Sequence, residues 1–166
     1  MKLDDILNNA TVLVDANILL YARRGKSLQC RNLLARCDSG TISGIITTII
    51  LAEFGHRQMM VECQMLGLAA SNPAKAMSRQ PEVVRRLSTY ATDVRNLLGG
   101  GFQIETVRPE DFLVALELQK QHGLLTNDAL NLATARRLGI TEIATADTHF
   151  DHIQGLIVYK PEDLIR

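Results

Sequence analysis

The sequence predicts an α/β fold with a central parallel sheet, and two observations indicate it. Short runs rich in apolar and β-branched residues have the length of buried strands. Segments with helical periodicity separate most of these runs, and strands that alternate with helices pair in parallel. The predicted strands are 11–15, 41–46, 102–107, 142–146 and 156–159.

The helices follow from the same reading of the chain. The first strand ends at Asp15, and a short helical segment follows it directly. Three glycines, Gly99 to Gly101, end a later helix and release the chain into the third strand. Pro109 begins the next helix, since proline suits the first helical turn. The predicted helices are 16–22, 28–37, 48–66, 82–98, 109–122 and 127–138.

One segment interrupts the alternation of strands and helices. Residues 71–81 are rich in turn formers and have a proline near each end, at Pro73 and Pro81, which predicts an exposed loop or clip between two helices. We expect a single domain over 1–166, because 166 residues suffice for one core. A longer helical and loop insertion is expected at about 66–101.

Composition excludes some classes of protein. The formal net charge of zero argues against salt-driven binding of nucleic acid by the whole surface, although a local basic patch stays open. Three cysteines without a CxxC pair predict buried free thiols in a reducing compartment. No apolar run approaches the roughly 20 residues that span a bilayer. We therefore expect a cytoplasmic protein with no membrane partner.

Four acidic residues stand in apolar surroundings. Asp15 and Asp147 follow strand-like runs, Glu53 lies inside the apolar stretch from Ile45 to Phe54, and Asp128 opens an alanine- and leucine-rich helix. Buried carboxylates are unfavourable unless they are paired or metal-bound. Because ligands of open parallel sheets collect at the carboxyl ends of the strands, these four side chains predict an oxygen-ligand site for a divalent cation.

Each acidic residue also has a simpler explanation. Asp15 and Asp147 suit helix N-caps, and Asp128 suits the positive end of a helix dipole. Glu53 could lie on a solvated helix face. The residues alone leave these alternatives open.

The residues around the four carboxylates resemble a known family of nucleases, the PIN-domain proteins. The resemblance starts at Val14-Asp15-Ala16-Asn17, continues at Thr47 and Leu51-Ala52-Glu53-Phe54, and then at Asn127-Asp128-Ala129-Leu130-Asn131. It ends with Ala144-Thr145-Ala146-Asp147-Thr148-His149-Phe150. Each motif is weak alone, whereas the ordered set is specific and spans both ends of the chain.

The resemblance implies a three-layer α/β/α sandwich that cleaves single-stranded or structured RNA with Mg²⁺ or Mn²⁺. The motifs look most like the VapC-like toxins of toxin–antitoxin pairs, which implies a homodimer and an antitoxin protein as partners. Asp15, Glu53, Asp128 and Asp147 would be the catalytic, metal-binding residues. Supporting polar positions would be Asn17, Thr47, Thr145 and, as an additional carboxylate, Asp151. The middle of the chain, 66–101, is longer than such compact toxins need.

Positive charge near the first motif suggests contacts with the RNA backbone. Arg23, Arg24 and Lys26 closely follow Asp15 and are candidates for phosphate binding, with solvated helix surface as the alternative. His149 and His152 bracket Asp151 and offer a rival transition-metal site, for which more nitrogen or sulfur ligands would be needed.

Two other classes compete with a nuclease. An aspartyl phosphatase of the haloacid-dehalogenase type would have an Asp-x-Asp motif after the first strand. Here the second aspartate of that motif is replaced by Asn17. A catalytically inactive PIN-like scaffold that binds RNA or protein is the stronger alternative, because a sequence does not measure turnover.

Overall fold

The protein forms one five-stranded parallel sheet flanked by helices, as the computed structural model of residues 1–69 and 71–165 describes it. Within these residues the strands are β1 (Thr11–Val14), β2 (Ser43–Thr47), β3 (Phe102–Glu105), β4 (Glu142–Ala144) and β5 (Ile157–Tyr159). The helices are α1 (Ala16–Arg23), α2 (Leu28–Asp38), α3 (Thr48–Met65), α4 (Pro73–Arg79), α5 (Pro81–Arg85), α6 (Thr89–Gly99), α7 (Pro109–His122) and α8 (Thr126–Arg137). The predicted α/β class is confirmed.

The strand order places the first motif at the centre of the sheet. The order is β3-β2-β1-β4-β5, and each neighbouring pair is parallel. β1 is an unbroken apolar run, with Val12, Leu13 and Val14 fully buried, as expected for a strand covered on both faces. The chain builds the sheet outward from β1 in one direction and then in the other. Asp15 therefore follows β1 at the position where ligands of such sheets bind.

The segment 71–81 contains a helix, so the prediction of a loop there is wrong. Asn72 caps α4 through its side chain, which accepts a hydrogen bond from the Lys75 backbone N–H at 2.9 Å. Pro73 occupies the first turn of α4. Asparagine as a cap followed by proline starts a helix as readily as it makes a turn, and sequence composition favoured the turn.

The predicted helix at 82–98 is two helices, α5 and α6. The carboxylate of Glu62 on α3 accepts hydrogen bonds from the backbone N–H groups of Ser88, Thr89 and Tyr90 at 2.8–2.9 Å. These are the N–H groups that an α-helix leaves without partners at its start. A side chain from a distant part of the sequence therefore starts α6 at Thr89, which local periodicity could not reveal.

The helices of the middle segment pack around a small core of their own. Cys63, Met77, Val83 and Leu87 form a hydrophobic cluster that is separate from the main core. The main core lies between the sheet and the helices on each side of it. We therefore propose that residues 66–101 are an insertion that packs against α3 and belongs to the same single domain.

The three cysteines are buried and free, as expected. Burial raises the pKa of the Cys37 thiol to about 12, so this group is inert at neutral pH. In the part of the chain that the structure describes, no helix combines the length and the apolar character that crossing a membrane requires.

Candidate functional site

A cleft of about 610 Å³ opens at the carboxyl ends of the strands. Its wall combines residues from the end of β1, from α1, α3 and α8, and from the segment after β4. The lining residues are Asp15, Asn17, Tyr21, Glu53, Arg57, Leu125, Thr126, Asn127, Asp128, Ala146 and Asp147. The fold thus brings four distant acidic motifs to one place.

Asp15 is the most deeply held carboxylate of the cleft. It accepts hydrogen bonds from the Thr145 hydroxyl at 2.6 Å and from the Ala16 backbone N–H at 2.6 Å. Burial raises the pKa of Asp15, these two hydrogen bonds oppose the rise, and the charges of Glu53 and Asp147 add to it. Asp15 also caps α1, so the helix-cap explanation and the shared acidic site hold together.

A hydrogen-bond network joins the end of β1 to the end of β4. The side-chain amide of Asn17 donates to Asp15 at 2.5 Å and to the Thr145 hydroxyl at 3.1 Å, and its oxygen accepts from the Ala146 N–H at 3.0 Å. Thr145 also accepts from the Asp147 N–H at 3.0 Å. Asn17 and Thr145 therefore hold the Asp15 side chain and the backbone at Ala146 and Asp147 in place, and their support of a catalytic site stays a prediction.

Asp147 caps a 3-10 helix, Thr148–Phe150, by accepting from the His149 N–H at 2.8 Å. Its carboxylate also lies 3.1 Å from the His149 ring Nδ1. Ligand atoms of Asp128, Asp147 and His149 lie within 4.8 Å of one another, close enough to share one ion. His152 turns away, with its ring Nε2 3.2 Å from the His122 carbonyl oxygen, so the two predicted histidines do not converge.

Asp128 lies in the first turn of α8 and carries the clearest electrostatic signal. Its pKa is raised to about 6 by burial first, and then by the charges of Asp15, Asp147 and Glu53, against a smaller opposing effect of His149. A raised pKa of this size means that the protein supplies too few positive charges and hydrogen-bond donors to stabilise the negative charge of Asp128. This carboxylate is available for an external cation.

Glu53 reaches the cleft from α3, where it forms an ion pair with Arg57. The Arg57 Nη2 lies 2.9 Å from the Glu53 Oε1, one helical turn further along. Arg57 was not predicted as a site residue. The spacing of four residues between a glutamate and an arginine was the available signal.

Thr47 does not line the cleft but connects two of the helices that form it. This fully buried residue donates its hydroxyl to the Asn131 side-chain oxygen at 2.6 Å and caps α3 by accepting from the Ile50 N–H at 3.1 Å. Asn131 follows Asp128 by three residues on α8, so this bond joins the helices that carry Glu53 and Asp128. Asn131 was missed, although a polar residue inside an apolar helix is a detectable signal.

Two predicted residues have partners elsewhere. The Asp151 carboxylate lies outside the cleft and binds the Lys160 Nζ at 2.5 Å. The Arg23 Nε donates to the buried carboxylate of Asp93 at 2.7 Å, which gives this arginine a structural role in joining α1 to α6. Arg24 and Lys26 are exposed.

Fold and site together define a class of protein: a parallel α/β domain with a carboxylate cluster at the switch point of its sheet. The PIN domain family matches residues 12–156, and the chain belongs to that family. The predicted resemblance is therefore confirmed.

Individual relatives extend the comparison. The chain is 26% identical to ribonuclease VapC2 of Methanocaldococcus jannaschii over 149 residues, which cover 90% of this chain and 93% of the relative. The VapBC2 complex of Rickettsia felis, solved with promoter DNA, has a similar chain with a TM-score of 0.57 at 17% identity, covering 92% and 99%. The sarcin-ricin-loop-cleaving toxin VapC20 of Mycobacterium tuberculosis has a TM-score of 0.56 at 17% identity, covering 84% and 92%. At these identities the solved structures establish the fold.

Proposed function

We propose that this protein is a metal-dependent endoribonuclease that hydrolyses phosphodiester bonds in single-stranded or structured RNA. The observation that carries the proposal is the convergence of Asp15, Glu53, Asp128 and Asp147 in one cleft. Membership of the PIN-domain family and the ribonuclease name of an archaeal relative support RNA as the substrate.

The residues of the cleft fit Mg²⁺ or Mn²⁺. Both are hard cations that prefer carboxylate oxygens, and the cleft supplies four carboxylates, of which Asp15 and Asp128 have raised pKa values. His149 adds one nitrogen donor, which Mn²⁺ tolerates better than Mg²⁺ does. Zinc is a poorer fit, since the described residues that could hold an ion here include one histidine, His149, and no cysteine lines the cleft.

The side chains of the cleft hold the reacting groups in place. When bound, a divalent ion lowers the pKa of its bound water and offsets the charge of the phosphate. The Thr145 hydroxyl and the Asn17 amide orient the Asp15 carboxylate, and Thr145 also positions the backbone of Asp147. Because these supports are already formed, the site needs little rearrangement to accept an ion.

We further propose that the protein is the toxin of a toxin–antitoxin pair. Chains of the same fold occur in a Klebsiella pneumoniae toxin–antitoxin complex, with a TM-score of 0.54 at 19% identity, and in the Rickettsia felis complex. An antitoxin would act as a stoichiometric inhibitor. Titration of the purified protein with its candidate partner should abolish RNA cleavage at a ratio near one.

A homodimer is the proposed assembly. Helix α7 exposes an unusual row of large apolar side chains, Phe112, Leu113 and Leu116, of which Leu113 is 70% exposed. Exposed apolar patches of this kind mark interaction surfaces. Leu113→Glu together with Leu116→Glu should convert a dimer to a monomer in sedimentation-velocity experiments, whereas a wild-type monomer would refute this assembly.

The alternative function is a catalytically inactive PIN-like scaffold that binds RNA or protein. It shares the fold and requires no turnover. A cleavage assay separates it from the nuclease.

The test is cleavage of an end-labelled single-stranded RNA by the wild type, by Asp147→Asn and by Glu82→Gln, a control that removes an exposed carboxylate on α5. We expect cleavage with Mn²⁺ or Mg²⁺, none with EDTA, and loss of activity in Asp147→Asn only. Equal cleavage by the wild type and Asp147→Asn would contradict the proposal. Binding without cleavage by all three proteins would support the scaffold.

A further inference from the structure

The cleft is mostly negatively charged, and negative charge repels an RNA strand. Four carboxylates line it, and among the described lining residues the single cation is Arg57. A bound ion acts on the phosphate that is cleaved, but the neighbouring phosphates of the RNA also need counter-charges. Among the described lining residues, Arg57 therefore has the charge that a neighbouring phosphate needs.

The guanidinium of Arg57 is only partly used by the protein. It contacts Glu53 through one nitrogen, Nη2, at 2.9 Å, and its side chain is 51% exposed. A guanidinium has five N–H donors in a rigid fork, and a single contact leaves an edge of this fork open to solvent. Within the described residues, Glu53 is the one carboxylate at ion-pair distance from it.

A second arginine, Arg24, lies near Arg57 without lining the cleft itself. Arg24 caps the C-terminal end of α1, three residues after Tyr21, which itself lines the cleft. Arg24 and Gln58, the neighbour of Arg57 on α3, line one groove. Arg24 is exposed but partly desolvated, which lowers its pKa, and the positive charge of Arg57 lowers it further. Two guanidinium groups that repel each other favour an anion between them.

We infer that Arg57 and Arg24 together bind a backbone phosphate of the RNA next to the one that is cleaved. This inference rests on the proposed function and deepens it, since it assigns the side of the cleft over which the strand runs, from the C-terminal end of α1 to the middle of α3. Arginine suits the task because its planar fork binds phosphate through two parallel hydrogen bonds. Arg23 is not part of this inference, because it does not line the cleft and its Nε donates to Asp93 on α6.

A purely intramolecular role for Arg57 makes different predictions. An exposed Glu–Arg pair at this helical spacing contributes little to stability, and it would neutralise Glu53. In that case removal of Arg57 would change the affinity for Mn²⁺ and leave the binding of RNA unaltered. The salt dependence of RNA binding distinguishes the two roles of Arg57, because only the loss of a phosphate contact makes that dependence shallower.

The experiment measures single-turnover cleavage against RNA concentration in Mn²⁺, at several salt concentrations. The variants are Arg57→Ala, Arg57→Lys and Arg24→Ala, with Arg95→Ala as a matched control, since Arg95 is an exposed arginine on α6. Melting temperatures confirm that each variant is folded, and titration with Mn²⁺ alone measures metal affinity.

We expect Arg57→Ala and Arg24→Ala each to raise the half-saturating RNA concentration about tenfold, as for loss of a hydrogen bond to a charged group. The cleavage rate at saturation should stay within about threefold, and the salt slope should become shallower by about 0.7, the value for one phosphate on a single strand. Arg57→Lys should restore the salt slope and only part of the affinity. Arg95→Ala should match the wild type.

Two results would overturn the inference. One is an active wild type with Arg57→Ala unchanged in half-saturation and salt slope, or changed only in affinity for Mn²⁺. The other is an inactive wild type, which would overturn the proposed function and this inference together. The two failures are distinguished by the wild-type reaction itself.

Discussion

Two aspartates in the first turns of successive helices, Asp111 and Asp128, have pKa values shifted in opposite directions. Asp111, on α7, is buried and accepts hydrogen bonds from Arg137 at 2.9 and 3.1 Å, from the Arg108 N–H at 2.9 Å and from the Thr134 hydroxyl at 3.2 Å. Burial raises the pKa of Asp111, but these bonds outweigh burial and hold it below its ordinary value. Asp128, on α8, has a pKa raised to about 6, because burial is joined by three other carboxylates.

The difference separates structure from function. A carboxylate that the protein surrounds with donors stabilises the fold, and Glu62 does the same at the start of α6. A carboxylate that the protein surrounds with like charges costs stability, and such an arrangement persists where a ligand uses it. Both aspartates follow the rule that acidic side chains favour helix starts, so the rule cannot tell them apart.

The largest effect that separates the two aspartates should appear in stability. Asp111→Ala removes one of the two carboxylate partners of Arg137, whose side chain is 20% exposed, and should lower the free energy of unfolding by about 3 kcal/mol. Asp128→Ala, the matched change in the cleft, should lower it little or raise it. Urea denaturation of both variants without metal gives the comparison. If both variants lose the same stability, the distinction between the two carboxylates fails.

The next effect tests the supports of the cleft. Thr145→Val removes the hydroxyl that donates to Asp15 and accepts from the Asp147 N–H, while the volume of the side chain stays the same. We expect a loss of about 10–100-fold in metal affinity or cleavage rate, as for other groups that hold metal ligands. Thr92→Val, at an exposed position of α6, is the control. A Thr145→Val enzyme with wild-type activity would remove this network from the account.

The smallest effect concerns pH. The raised pKa of Asp128 means that the folded protein holds its proton more tightly than the unfolded chain does. The stability from this group is therefore present below about pH 4 and is lost as pH rises to about 6. Asp128→Asn should remove this loss and raise the stability of the metal-free protein at pH 7 by about 1 kcal/mol, less than the full shift implies because the side chain is only half-buried and solvent screens it. Thermal unfolding at pH 4–8 measures it.

The contrary outcome for Asp128 is equally clear. A metal-free wild type whose stability rises between pH 4 and 6, with no change in slope in Asp128→Asn, would show that Asp128 is not held among uncompensated charges. Asp111 contributes with the opposite sign, because a lowered pKa adds stability that is lost as the solution becomes acidic. The difference between wild type and Asp128→Asn isolates the cleft from that background.

The sequence revealed the fold and the acidic motifs for a physical reason. Strands of a parallel sheet are buried on both faces, so β1 appears as a continuous apolar run that ends at Asp15. Each cleft carboxylate interrupts, ends or begins an apolar segment, which made all four visible. Their assignment as catalytic residues stays a prediction until variants are measured.

What sequence reasoning missed depends on contacts between distant residues. The break between α5 and α6 is made by Glu62, more than 20 residues earlier in the chain. The pairing of Arg23 with Asp93 and the bond between Thr47 and Asn131 join residues 70 and 84 positions apart. Local propensity has no access to such partners. The prediction that Arg23 binds an RNA phosphate could not include its hydrogen bond to Asp93.

The most direct test of the central claim is an anomalous diffraction measurement on crystals soaked in Mn²⁺. We predict a peak in the cleft within coordination distance of carboxylate oxygens of Asp128 and Asp147, and its loss in Asp128→Asn crystals. No peak there at millimolar Mn²⁺, or a peak that survives in Asp128→Asn with unchanged height, would contradict the assignment of these uncompensated carboxylates as a metal site.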